Sequence, residues 1–327
     1  MQDRRIAVFG SLNVDLVTRL ERFPRPGETV EARAFTMYPG GKGANQAVAC
    51  GKLGAQVAMY GALGSDSLAE RLQTSLNEAG VDVGAVASLD GVATGTADIW
   101  VDDSGENMIA IAAGANGGVD AAYVDEHIAA LSRASFLLLQ LEVPLATLAH
   151  LLGRIPDESG PRVILDPAPA RPLDSLPLER VWLITPNEHE LAALTGLATD
   201  SADAVRRAAG ALAARTGVRR VLTKAGARGA YLSEGERFEA VPGFPTRVVD
   251  TTAAGDAFNG ALATALATAP ASAPVGADDL VSAIRFAHAA AAIAVTRPGA
   301  QPAMAARPEV ERFLRQHDGG PDGRSGG

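Results

Sequence analysis

Short apolar runs, each followed by a helical pattern or a turn, set the strongest limit on what this chain can fold into. Four of them are "ASFLLLQL" (134–141), "RVILD" (162–166), "VWLIT" (181–185) and "RVLTKAG" (220–226). Near the start, "RIAVFG" (5–10) reads as a buried strand and "GKGANQAVACGKLGA" (41–55) as a helix. "QVAMYGALG" (56–64) then reads as a strand and "DSLAERLQTSLNEAG" (66–80) as a helix closed by Gly80. Strands alternating with helices imply a parallel sheet covered on both faces. The expected fold is therefore α/β, a doubly wound, mostly parallel sheet flanked by helices.

Two stretches break the alternation. Residues 16–39 and 94–114 carry strand-like segments with Gly, Pro and Asp turns. They read as insertions forming a small antiparallel β-lid over the substrate end of the sheet, or else as plain surface hairpins. The rest of 1–316 reads as one domain, and the Gly-rich tail 317–327 as disordered.

Composition narrows the partners. A net charge of −9 argues against a general nucleic-acid or anionic-membrane binder. It leaves a phosphate ligand open, because helix ends and a few cations act locally. No apolar run is long enough to span a membrane. The lone Cys50 cannot form an intrachain disulfide, which fits a cytoplasmic protein. Inside a helix pattern it reads as a small buried apolar residue rather than a nucleophile.

Five segments could carry chemistry. In "GSLNVD", Asn13 and Asp15 follow a strand end, where they could hold sugar hydroxyls or form a polar turn. In "PGGKGANQAVA", Gly40, Gly41 and Gly43 are expected to let backbone approach a ligand, with Lys42 and Asn45 as donors. Neither Gly-Lys pair is followed by Ser or Thr, and Gln46 stands where a dinucleotide fingerprint needs its last glycine, so both nucleotide-loop labels fail. Glu142 follows an apolar strand and either faces the same crevice or complements a helix dipole. Asn187 and Glu190 lie three apart at a helix start, as a phosphate–metal pair or as a capping box. In "VDTTAAGDAFNG" (249–260), Gly255 precedes a helix whose first N–H groups could hold an anion, and Asp256 is a candidate base or a simple cap.

Together "GSLNVD", "GGKGANQAVA", "LQLEVP", "DPAPAR", "TPNE", "DTTAAGDAFNGAL" and "IRFAHAAAAIAVTRPGAQP" resemble the carbohydrate and nucleoside kinase family that includes the ribokinases, over about residues 5–315. The resemblance implies ATP-dependent phosphorylation of the ribose 5-hydroxyl. By it, Asp256 is the base and Ala253, Ala254 and Gly255 form the anion hole. Asn13, Asp15, Gly41, Lys42, Gly43, Asn45 and Glu142 hold ribose. Asn187 and Glu190 lie near the ATP phosphates and Mg²⁺, while Lys224, Gly226, Arg228, Gly229 and His288 border the nucleotide. Asp250, Thr252, Ala294, Arg297, Gly299 and Ala303 surround a K⁺ site. Lys224 stands where relatives often have Thr, and Ala303 where a Ser hydroxyl is expected. The resemblance also implies a homodimer through the lid. Competing readings are a kinase of deoxyribose, fructose or a nucleoside, and a non-catalytic sugar sensor. A nicotinamide dehydrogenase is disfavoured by the failed glycine spacing.

Overall fold

The computed structural model describes residues 5–156, 159–268 and 275–318. In chain order it opens with β1 (Ile6–Phe9), β2 (Asn13–Arg19), β3 (Ala34–Gly40), α1 (Lys42–Lys52), β4 (Val57–Gly64), α2 (Ser67–Glu78) and β5 (Asp82–Leu89). Next come β6 (Gly95–Val101), β7 (Asn107–Ala112), α3 (Ala121–Leu131), β8 (Phe136–Leu139), α4 (Leu145–Arg154), β9 (Arg162–Leu165) and β10 (Val181–Ile184). The rest are α5 (Glu188–Thr195), α6 (Ala202–Thr216), β11 (Arg220–Lys224), β12 (Ala230–Glu234), β13 (Arg237–Val241), α7 (Ala254–Thr268), α8 (Ala277–Ala294) and α9 (Arg307–Asp318).

The main sheet runs β13-β12-β11-β10-β9-β8-β1-β4-β5, parallel from β5 across to β11, with β12 and β13 antiparallel at one edge. Successive residues of each strand feed opposite cores. Ile6 and Val8 pack with α1, α2, α7 and α8, whereas Ala7 and Phe9 pack with α3 to α6. This double burial is why the central strands read as unbroken apolar runs instead of alternating ones. From β1 the chain winds one way to β4 and β5, then returns to β8 on the other side. That reversal opens a crevice beyond the carboxyl ends of β1 and β8, the place where such sheets bind ligands.

A second, smaller sheet, ordered β3-β2-β6-β7, is formed by the stretches expected to make the lid. Its two antiparallel hairpin pairs are joined by a parallel β2–β6 pairing. This sheet begins at Asn13 rather than at residue 16, so Asn13 and Asp15 of "GSLNVD" lie on one of its strands. Phe35, Met108, Ile109 and Ile111 of this sheet are exposed.

Cys50 is fully buried on α1 and its Sγ donates to the Gly260 carbonyl, so burial pushes the thiol up to about 12. It is packing, as expected. Helix α9 runs through Asp318, so His317 and Asp318 of the stretch read as a disordered tail are helical, and 319–327 lie outside the described residues. Among the described residues no helix is long and apolar enough to cross a membrane.

Candidate active site

Two helices meet over the crevice because glycines let them. A Cβ on Gly260 of α7 would stand 2.6 Å from Ala49 Cβ and 2.8 Å from the Gln46 carbonyl of α1. A Cβ on Gly43 would meet backbone atoms of Gly10 and Ser11 at 2.7 Å, and one on Gly41 would meet Asn13 N at 2.5 Å. Gly41, at φ 84°, also opens α1 in a conformation that L side chains rarely adopt. These glycines were expected to let backbone approach a ligand. In the structure Gly41 and Gly43 let the chain approach itself, clamping α1 onto the end of β1.

The clamp delivers Asn45 and Gln46 to Asp256, in the first turn of α7. Asn45 Nδ2 donates to Asp256 Oδ2 at 2.9 Å, and Gln46 Nε2 donates to Oδ1 at 3.1 Å. Asp256 is 4% exposed. Burial raises its pKa, the Lys42 ammonium lowers it, Asp166 raises it, and the two amides lower it, leaving it at about 6. A carboxylate so placed is ionised at neutral pH, yet basic enough to take a proton.

Of the residues that the resemblance assigned to the sugar, Asp15, Lys42 and Glu142 gather within electrostatic reach of one another and Asp256. Asn13 and Asp15 are buried on β2. Asn13 Oδ1 accepts from Asn116 Nδ2 at 2.8 Å, and Asn116 is itself anchored to the backbone of Leu12. Burial, then Glu142 and Asp256, push Asp15 up to about 7, against a lowering by Lys42. Glu142 accepts from Ser11 Oγ at 2.5 Å and from the Lys42 N–H at 3.2 Å, so it is a crevice residue that also places a charge at the start of α1. Burial alone would lower the Lys42 pKa, but Asp256, Asp166, Glu142 and Glu190 outweigh it and raise it.

A cleft of about 640 Å³ opens on the other side of Asp256. Lys42, placed by sequence reasoning with the sugar, lines this cleft too, alongside Asp166, Asn187, Glu190 and Lys224. Asn187 and Glu190 do form the capping box: Oδ1 accepts from Glu190 N at 2.8 Å, and Oε2 from Asn187 N at 2.7 Å. They also face the cleft, so capping and site placement coexist. Burial is the main cause of Glu190's raised pKa. Gly226, Gly229, Phe244, Phe258 and His288 complete the wall. His288 stands edge-on to Phe258, and burial lowers its pKa to about 4, so it is neutral there. Arg228, expected to border the nucleotide, pairs with Glu188 at the cleft wall and donates to the carbonyls of Thr199 and Asp200.

Ala253 is strained at φ 57°, a left-handed conformation that costs on the order of 1 kcal/mol for a non-glycine. With Ala254 and Gly255 it lines the cleft at the α7 N-terminus. The Ala254 N–H is already donated to the Thr251 carbonyl at 3.2 Å, so the expected ring of free donors is one short. Behind the turn, Asp250 Oδ1 accepts from Thr252 N at 2.8 Å and Oδ2 from Gly299 N at 2.9 Å. Partial burial opposes ionisation of Asp250, yet these hydrogen bonds hold its pKa below the usual range. Asp250 N also donates to Val295 O, and Arg297 N to Ala294 O. The Arg297 side chain leaves this loop to pair with Glu309, and Ala303 is buried in the next turn.

Sequence reasoning missed Gln46 and Asp166 as site residues. Asp166 follows β9, with Oδ1 2.9 Å from Lys224 Nζ and Oδ2 3.1 Å from Gln46 Nε2. Gln46 Oε1 accepts from Gln140 Nε2 at 2.8 Å, which fixes the orientation of its amide. An acid immediately after an apolar strand was the available signal for Asp166, the same one that singled out Glu142.

Comparison with known proteins gives concordant matches. A family model described as pfkB family carbohydrate kinase matches residues 3–307. A ribokinase of Haemophilus influenzae is 37% identical over 311 residues, covering 95% of this chain and 98% of the relative. A deoxyribokinase of Salmonella typhi is 36% identical over 309 residues, covering 94% and 97%. The solved structure of an Arabidopsis thaliana ribokinase complexed with ribose and ATP matches with a TM-score of 0.86 at 32% identity, covering 96% of this chain and 99% of that one.

Proposed function

This chain belongs to the pfkB family of carbohydrate kinases, and on that premise we propose that it transfers the γ-phosphoryl group of ATP to the 5-hydroxyl of D-ribose. The observation that carries the reading is Asp256, a buried carboxylate with a pKa of about 6, set where the sugar crevice meets the cleft. Full-length similarity to a ribokinase supports ribose as the acceptor.

Ribose lies in the crevice of Asn13, Asp15, Lys42, Asn45 and Glu142, with its 5-hydroxyl toward Asp256. Asp256 removes the hydroxyl proton as the oxygen attacks phosphorus. Asn45 and Gln46 hold both carboxylate oxygens, so the base needs no rearrangement to act. The first-turn N–H groups of α7 and the helix dipole stabilise charge on the equatorial oxygens of the phosphoryl group. Adenine lies by His288 and Phe244, where a neutral imidazole and an aromatic ring suit an uncharged base. The lid shuts water out, which limits ATP hydrolysis without sugar.

Among the described residues no group of three or more His, Cys, Asp or Glu side chains could hold a metal alone. Glu190 still fits Mg²⁺, which binds through one or two carboxylates together with substrate phosphates and water. Mg²⁺ brought in with ATP would neutralise phosphate charge. The carboxylate of Asp250, held by the N–H groups of Thr252 and Gly299, is a hard-oxygen donor suited to K⁺, with carbonyls of Thr252, Ala294, Arg297 and Gly299 as the further donors this reading calls for. The enzyme works in the cytoplasm and dimerises through the lid, whose exposed Phe35, Met108, Ile109 and Ile111 give it an apolar surface to cover.

Coupled ADP-release assays across sugars test the reading. The expected order places ribose first. A clear preference for 2-deoxyribose, the alternative supported by the deoxyribokinase relative, or for a hexose would replace it.

A further inference from the structure

Lys224 ends β11 with a side chain only 12% exposed. Its Nζ is 2.9 Å from Asp166 Oδ1 and 3.3 Å from the place where a Cβ on Gly255 would stand. The ammonium therefore sits close beside the first turn of α7, near enough that a side chain at 255 would crowd it. It faces the same cleft as Glu190 and Asp256.

A buried ion pair is weak grounds for a stabilising role, since apolar groups of similar volume often replace one without loss. Its position is more telling. The anion hole is one donor short, because the Ala254 N–H is spent on Thr251. Asp166 is not left bare without Lys224 either, as its other oxygen accepts from Gln46.

We propose that Lys224 is a catalytic residue of phosphoryl transfer, its ammonium held by Asp166 at the anion hole and directed at the equatorial oxygens of the phosphoryl group in transit. The step is electrostatic: no bond to lysine forms and no proton leaves it. The proposal rests on the reading of the cleft as an ATP site. It adds a side-chain cation to a hole built from backbone.

A double-mutant cycle separates this role from that of a counter-ion. Lys224→Met should lower kcat by about 10²–10³-fold, the usual loss for one donor to a developing anion. It should also lower the melting temperature, since the buried Asp166 charge keeps only the neutral Gln46 amide as a partner. Adding Asp166→Asn should restore the melting temperature while kcat stays well over tenfold below the parent. Affinity for Mg·ADP by calorimetry should stay within a few-fold, because the lost contact belongs to the transition state. Recovery of kcat to near the parent value in the double variant would overturn the proposal. Should Lys224→Met fail to fold, the double variant alone decides. Every rate is taken relative to the parent on its best sugar. A wrong sugar assignment would therefore appear as poor ribose turnover by the parent, and not as recovery in the double variant.

Discussion

Asp256 and Asp166 share one donor: Gln46 Nε2 lies 3.1 Å from an oxygen of each. The two carboxylates repel, and Asp166 is among the causes raising the Asp256 pKa, while the Gln46 hydrogen bond lowers it. Gln46→Met keeps volume and removes the donor. The Asp256 pKa should then rise further, so the acid limb of kcat moves to higher pH by about one unit. A limb that stays put, or moves to lower pH, would show that the bridge does not tune the base.

In the parent enzyme the base must be ionised to act. With Asp256 at about 6, kcat at saturating sugar should be flat near neutrality and fall with decreasing pH below about 6, whereas kcat/KM, which also reports Asp15 at about 7, should begin to fall nearer neutrality. Asp256→Asn should lower kcat by about 10³-fold or more while ribose affinity by calorimetry changes only a few-fold. Near-parental turnover in that variant would remove Asp256 from its role.

The α1–α7 contact can be tested away from the chemistry. Gly260→Ala places a methyl 2.6 Å from Ala49 Cβ and 2.8 Å from the Gln46 carbonyl, and neither neighbour is a flexible side chain that can swing aside. Overpacking of this kind costs about 1–3 kcal/mol, readable as a lower urea midpoint. Asp256 would also shift against Asn45 and Gln46, so kcat should fall more than KM rises. Unchanged stability would mean that the helices slide apart at no cost.

For the cation, a titration of KCl against choline chloride at constant ionic strength should show activation of the parent. Asp250→Asn keeps one acceptor oxygen and removes the charge, so half-activation should need at least about tenfold more K⁺. An identical KCl response in both proteins would place the cation elsewhere.

Light scattering at micromolar concentration should give twice the mass of one chain. Ile109→Lys puts a charge at an exposed apolar position of β7 and should yield monomers that remain folded by circular dichroism. A monomeric parent, or a variant that stays dimeric, would remove the lid from the interface.

The sheet was legible because doubly buried strands leave continuous apolar runs, and the family because its motifs recur in order. β5 was not read: "DVGAVASL" is half small residues and only partly buried, so its pattern is faint. The β12–β13 ribbon was not read either: its two five-residue strands are short, and only Gly235 marks the tight turn between them. In the site, Asp256 and Asn45 stood out because each sits at a helix start beside glycines. Gln46 and Asp166 acquire their roles only through a three-dimensional meeting of α1, β9 and β11. Gln46 drew notice only for breaking a glycine spacing, and no local pattern records its contact with two acids.

Asn13 and Asp15 are the first and third residues of β2, and β2 is hydrogen-bonded to β3 and β6 along its length. A ligand held by those two side chains is held by the four-stranded sheet as well. On the proposed reading, occupancy of the crevice and closure over it would be a single coordinate, with no separate hinge event needed to report that the acceptor has arrived. A sugar that fails to satisfy β2 would leave its own cover unlatched, so discrimination would show in how long the site stays shut as much as in how tightly the sugar binds.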